Sequence, residues 1–99
     1  MTNTSNAFEF PSQKFPLGQV VVTRNVTVEL SPIDVLNALA RHARGDWGNL
    51  SEQDRAENEL ALKNGYRLFS SYKKAKGITF WIITEADRSA TTVLLPIEY

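Results

Sequence analysis

The segment Ile78 to Thr84 is apolar on both of its alternating faces, with Phe80 and Ile82 on one and Trp81 and Ile83 on the other. A strand of that kind needs cover on two sides, which predicts the centre of a sheet. Partners stand immediately before and after it. Tyr66, Leu68, Ser70 and Tyr72 alternate with Arg67, Phe69, Ser71 and Lys73, and Lys74-Ala75-Lys76-Gly77 supplies a hairpin loop with a glycine suited to positive φ. On the other side, Ala86-Asp87-Arg88-Ser89-Ala90 leads into Thr91 to Leu95, which ends at Pro96 because proline cannot donate to a ladder. The last third of the chain is expected as a three-strand antiparallel meander.

Helix signals precede it. Ser31-Pro32-Ile33-Asp34 combines a hydroxyl N-cap, a proline at the first helical position and an acid facing the positive dipole end. Ile33, Leu36, Leu39, Ala40 and Ala43 then recur at three and four residues, Arg41, His42 and Arg44 fall in the last turn, and Gly45 is a left-handed stop. After Asp46-Trp47-Gly48-Asn49-Leu50, Ser51 with Asp54 opens a second, mostly solvated helix that runs to Asn64 and stops at Gly65. Between Phe15 and Leu30, Gln19-Val20-Val21-Val22-Thr23 is β-branched, and Val26, Val28 and Leu30 alternate with Thr27 and Glu29, predicting one or two short strands around a turn at Arg24-Asn25. Residues 1–14 read as a flexible N-terminal arm whose Phe8 and Phe10 are free to dock, and residues 15–99 as a single domain. The fold class is α+β: a small single domain with two helices packed on a mainly antiparallel sheet ending in the meander. Its core is expected on Leu36, Leu39, Leu68, Phe80, Ile82 and Leu94.

Composition narrows the function classes. With 99 residues, 42% hydrophobic and 22% charged, the chain fits one globule with one modest core. Eleven basic residues balance eleven acidic ones, so the chain lacks the global field that drives non-specific binding to polyanions or anionic membranes. The absence of cysteine removes disulfide scaffolds, thiolate metal sites and cysteine nucleophiles together. Met1 to Gln13 lacks a basic start and an apolar run, so a cytoplasmic protein without a membrane partner is expected.

Candidate site residues are few. His42 is the sole histidine and hence the sole group titrating near neutrality unperturbed; the alternative is a dipole-complementing residue near a helix end. One histidine with scattered carboxylates has no metal-ligand spacing, and neither a metal nor a cofactor is expected. In the turn Gly45 to Gly48, Asp46 and Trp47 are either a binding pair or a cap and a plug. Asp87 and Arg88 sit in the last loop, positioned to recognise a ligand or to fix the loop itself; if functional, they should lie near Asp46 and Trp47. Arg67, Lys73, Lys74 and Lys76 form the one polyanion-facing candidate, with Tyr66, Phe69, Tyr72 and Trp81 as stacking rings; the plainer reading is a lysine-rich hairpin tip that keeps the sheet soluble. No phosphate loop, nucleophile elbow or paired carboxylate motif is present, so no catalytic residue is assigned.

Two stretches, Arg41-His42-Ala43-Arg44-Gly45-Asp46-Trp47-Gly48 and Thr84-Glu85-Ala86-Asp87-Arg88-Ser89-Ala90-Thr91-Thr92-Val93-Leu94-Leu95-Pro96, together with Phe15 to Gln19 and Gly65 to Ser70, resemble a group of short bacterial plasmid-related proteins over Phe15 to Tyr99. The resemblance implies a bacterial, cytoplasmic setting on a mobile element, and no particular chemistry. The layout alone is similar to small RelE-like and barnase-like ribonucleases, in which Arg67 and Arg88 would face the phosphate and His42 or Tyr72 would handle the proton. Those enzymes are basic and this chain is neutral. The expectation is a non-enzymatic modulator or inhibitor that docks on another protein, the alternative being such a ribonuclease or a single-strand binder using Tyr66 to Gly77.

Overall fold

The structure, a computed structural model, describes residues 9–74 and 76–99; Phe8 and the rest of residues 1–8 lie outside the described part. In chain order it contains β1 (Gln19–Val22), α1 (Arg24–Glu29), α2 (Pro32–Ala43), α3 (Glu52–Asn64), β2 (Leu68–Lys73), β3 (Thr79–Thr84), β4 (Ala90–Leu94) and a closing 3-10 turn, Pro96–Glu98. The fold is α+β. The sheet runs β1-β4-β3-β2, with β2, β3 and β4 as the antiparallel meander and β1 added parallel to β4.

One expected strand is a helix. The spacing of Val26, Val28 and Leu30 suits period two, but Val26 and Leu30 are also four apart and share one helical face, where both are buried while Val28 stays 72% exposed. Thr23 settles the choice, because its hydroxyl accepts the Val26 N–H as an N-cap and its own N–H donates to the Val93 carbonyl, closing the β1 ladder.

The start of α2 follows its local chemistry. Ser31 and Asp34 form a reciprocal capping box. At its end Gly45 N–H donates to His42 O and Asp46 N–H to Arg41 O, a Schellman pair requiring the positive φ of Gly45. Its buried face, however, is Val35, Ala38, Leu39, His42 and Ala43, rotated from the expected stripe. Ile33 is 64% and Leu36 47% exposed, so Leu36 leaves the expected core, whereas Leu39, Leu68, Phe80, Ile82 and Leu94 are buried. A histidine counted as polar disguised the i, i+3, i+4, i+7 run from Val35 to His42.

Two hydrophobic clusters lie under the helices. One gathers Val26, Leu30, Val35, Leu39, Phe80, Ile82 and Val93; the other gathers Phe15, Leu17, Trp47, Ala61 and Leu68 beneath α3 and the end of α2. Phe10 packs against both, and Lys14 N–H donates to Ala43 O, so the described end of the N-terminal arm lies on the domain.

The two sheet edges are treated differently. Along β2, Asn49 N–H donates to Ser71 O, Ser71 N–H donates to Trp47 O, and the buried Asn58 side chain bonds both the N–H and the carbonyl of Phe69. These groups stand in for a missing strand and seal that edge. On β1 the ladder uses the odd-numbered residues, with Gln19 N–H donating to Ser89 O and Thr23 N–H to Val93 O, so the main-chain groups of Val20 and Val22 point away from β4.

Candidate functional site

His42 lies at the bottom of the helix layer with no exposed surface. Its Nδ1 is 2.6 Å from Ser70 Oγ and its Nε2 is 2.9 Å from Thr84 Oγ1; Thr84 Oγ1 is 2.7 Å from Thr91 Oγ1, and Thr91 donates to Leu17 O at 2.7 Å. Each hydroxyl carries one proton, which fixes the direction of the chain. Thr91 spends its proton on Leu17, so Thr84 donates to Thr91, the imidazole donates from Nε2 to Thr84, and Nδ1 accepts from Ser70. Phe15 and Trp47 pack on the ring at centroid distances of 5.3 and 5.7 Å. Burial, with the nearby Arg88 charge second, pushes the imidazole pKa down to about 3. The Ser70–His42 pair resembles an activated nucleophile in distance alone, since Ser70 is fully buried and the second ring nitrogen meets a threonine instead of a carboxylate.

The turn after α2 is held from several directions. Asp46 accepts both Arg41 Nε at 2.7 Å and an Arg41 terminal nitrogen at 3.2 Å, and also the Gly48 N–H at 3.3 Å. The Arg41 hydrogen bonds above all hold its carboxyl below the usual range. Trp47 is 2% exposed, and its indole N–H donates to Glu59 on α3 at 2.8 Å. Tyr72 is buried beneath the Arg41 guanidinium, which lies 4.7 Å from its ring, and its hydroxyl donates to Asp46 O at 2.5 Å. Burial raises the Tyr72 pKa strongly and keeps the phenol neutral.

Arg88 is half-buried in the β3–β4 loop at a φ of 61°. It pairs with neither Asp46 nor Glu85. Its guanidinium donates to the carbonyls of Tyr66 at 2.7 Å, Glu85 at 3.1 Å, Ala86 at 3.2 Å and Ala61 at 3.3 Å, and lies 5.7 Å from the Phe15 ring. A cation at the carbonyl end of α3 complements the helix dipole. Asp87 is exposed and accepts the Ser89 N–H at 3.0 Å, and hydrogen bonds from Ser89 lower its pKa. Gly18 locks this loop to the chain entering β1, since a Cβ there would strike the Ser89 and Arg88 carbonyl groups.

The expected residues thus divide. The turn with Trp47 and the loop with Arg88 meet through Phe15, whose ring stacks on Trp47 at 6.2 Å and lies against Arg88, while Asp46 and Asp87 turn to separate local partners. Arg67 lies on the opposite face of the sheet from His42 and Tyr72, against Tyr99. Among the described residues no three His, Asp or Glu side chains gather to hold a metal.

Of two further surfaces, one was not foreseen in the sequence and the other adds Ile83 and Tyr99 to the expected Arg67, Phe69 and Trp81. Beside the β1 edge, which no described strand pairs on its outer side, Val20, Val22, Leu30, Val35, Leu36 and Leu39 line an apolar groove of about 370 Å³. On the helix-free face of the sheet, Arg67, Phe69, Trp81, Ile83 and Tyr99 surround a hollow of about 270 Å³. The first requires knowing which strand is terminal; the second requires knowing that the C-terminal turn folds back on β3. Among the described residues no helix is long and apolar enough to cross a membrane. No family model, curated protein or solved structure matches the chain.

Proposed function

We propose that the protein is a non-enzymatic binding module that takes up an extended segment of another protein along β1, in the cytoplasm of a bacterium carrying a mobile element. The observation that carries this reading is the asymmetry of the edges: β2 is sealed by Trp47, Asn49 and Asn58, whereas Val20 and Val22 direct main-chain donors and acceptors outward. Another extended backbone satisfies such a row in register. The groove at its side offers seats for alternate apolar side chains of the incoming segment, and Val20 at 41%, Leu36 at 47% and Ile33 at 64% exposure extend it. Self-pairing of two four-residue edges would bury little against the roughly 1,200 Å² of a stable interface, while a longer partner segment continues across α2.

A ribonuclease reading is poorly supported, because His42 and Tyr72 are sealed beneath the helices while Arg67 stands on the far side of the sheet. The test is affinity capture from nuclease-treated lysate of a bacterial host, comparing the parent chain with Val20→Lys and Val20→Pro. The reading expects one discrete protein on the parent, lost on both variants while their melting curves stay cooperative. Retention by Val20→Lys, or concentration-dependent dimers that Val20→Lys abolishes, would refute it.

A further inference from the structure

The helix-free face of the sheet carries more aromatic surface than a sheet left to solvent needs. Outward alternation from β2 presents Phe69, Ser71 and Lys73, and from β3 Trp81 and Ile83. Their cover among the described residues is the C-terminal turn, from which Tyr99, 68% exposed, reaches the Trp81 ring. Phe69 meets Trp81 at 5.0 Å and 89°, and Tyr99 meets it at 5.7 Å and 69°. Both contacts are edge-to-face, so among the described residues no ring of the trio is stacked on a parallel neighbour. Arg67 closes the rim, its guanidinium 5.3 Å from the Tyr99 ring and hydrogen-bonded to the Tyr99 hydroxyl at 2.8 Å, with Glu85 3.9 Å away as an exposed counter-ion.

From this arrangement we infer that the face binds single-stranded nucleic acid, with an unpaired base against Trp81 in the Arg67–Phe69–Tyr99 hollow and phosphates on Arg67 and Lys73. Aromatic rings without a stacked neighbour among the described residues suit a planar ligand. Arg67 already occupies the cation position over Tyr99, so a cationic ligand is repelled and an anionic one is drawn in, exchanging for the loosely held Glu85. Nucleotides combine both properties. Arg67, just before β2, and Lys73, its last residue, stand at opposite ends of that strand, about 20 Å apart at the rise of an extended chain, which exceeds one nucleotide and favours a chain over a free mononucleotide. A duplex hides its base faces and is not expected to enter.

The experiment is fluorescence anisotropy of a labelled oligothymidylate about twelve nucleotides long with the full chain. Two phosphate contacts on a single strand predict a shallow salt dependence, with a log–log slope of about −1.4. Trp81→Leu is expected to weaken binding about ten-fold, and Arg67→Gln to weaken it and to reduce the slope by about 0.7. The corresponding duplex should bind about ten-fold more weakly, and thymidine monophosphate should fail to compete at equal nucleotide concentration. The inference is overturned if no binding is seen, if the duplex binds as tightly as the single strand, if the mononucleotide competes equally, or if Arg67→Gln binds like the parent. Should Trp81→Leu lose its cooperative melt, Arg67→Gln decides alone, because Arg67 is exposed and holds no core contact.

Discussion

The imidazole of His42 accepts the Ser70 hydroxyl at 2.6 Å in a chain of protons that all run one way, ending on the Leu17 carbonyl. Burial of the ring, with the Arg88 charge nearby, disfavours the imidazolium, so folded His42 stays neutral. Its pKa, about 3 folded against 6.5 for the free group, means that the unfolded chain binds the extra proton between those values. Stability is therefore complete above pH 6.5 and falls on acidification at about 1.4 kcal/mol per pH unit. Above about pH 5.5 the carboxylates with depressed pKa values contribute little, which leaves His42 as the source. Urea melts from about pH 7 to 5.5 should show stability bending toward this slope, and His42→Gln should remove the bend.

Arg88→Ala should cost about 1 to 2 kcal/mol, between the small loss of a free surface charge and the larger loss of a buried ion pair. The substitution removes charged donors from the carbonyls of Tyr66, Glu85 and Ala86, which lie on exposed or half-buried residues, and of Ala61, which keeps the N–H groups of Gly65 and Tyr66. Arg88→Lys should recover only part of this, since one ammonium cannot span the same fork. Chemical denaturation of the three chains makes the comparison.

Phe80→Ala should cost roughly 3 to 5 kcal/mol, because the ring is 4% exposed and packs in the first cluster beside Tyr72. Leu36→Ala, at a half-exposed position, should cost under about 1 kcal/mol. Equal losses in urea would contradict the rotated face of α2.

Gly48 and Gly65 share a left-handed φ, 77° and 76°, but differ in surroundings. A Cβ on Gly48 would strike the Ser71 carbonyl and press on the Tyr72 ring, whereas one on Gly65 meets open space. Gly65→Ala should cost about 1 to 2 kcal/mol in backbone strain alone. Gly48→Ala should cost clearly more and also release the strand-like segment from β2, visible as faster exchange of the Asn49 and Ser71 amides.

The parts legible in the sequence are those decided within a few residues. Ser31 to Asp34, the glycines at 45 and 65, and the two-sided apolarity of β3 state their structure locally. Val26 to Leu30 does not, because Val26 and Leu30 fit both periods and only the Thr23 cap, with its tie to β4, decides. His42 was visible as a lone titratable residue, but its depth depends on Ser70, Thr84 and Thr91 arriving from three strands to satisfy it. The two proposed surfaces were legible unequally: Arg67, Phe69 and Trp81 were expected together, but Tyr72 turns to the buried face and Tyr99 joins only once the C-terminal turn is placed, while β1 is an edge only once β4 lies beside it.

Parallel pairing of β1 with β4 also sets a schedule. Leu17 and Thr91 are bonded across 74 positions, and Thr23 and Glu98 across 75, so β4, the partner of the first strand, leaves the ribosome long after it. The meander and α3 are assembled from near neighbours and are free to form early, while Gln19–Val22 waits, its valines open to whatever extended chain is at hand. The proton chain through His42 ends on Leu17, in the segment leading into the first strand, so seating that strand completes the hydrogen bonding of the buried imidazole. Refolding started below pH 6 should accordingly slow at its final step, as the ring must shed a proton before the first strand can seat.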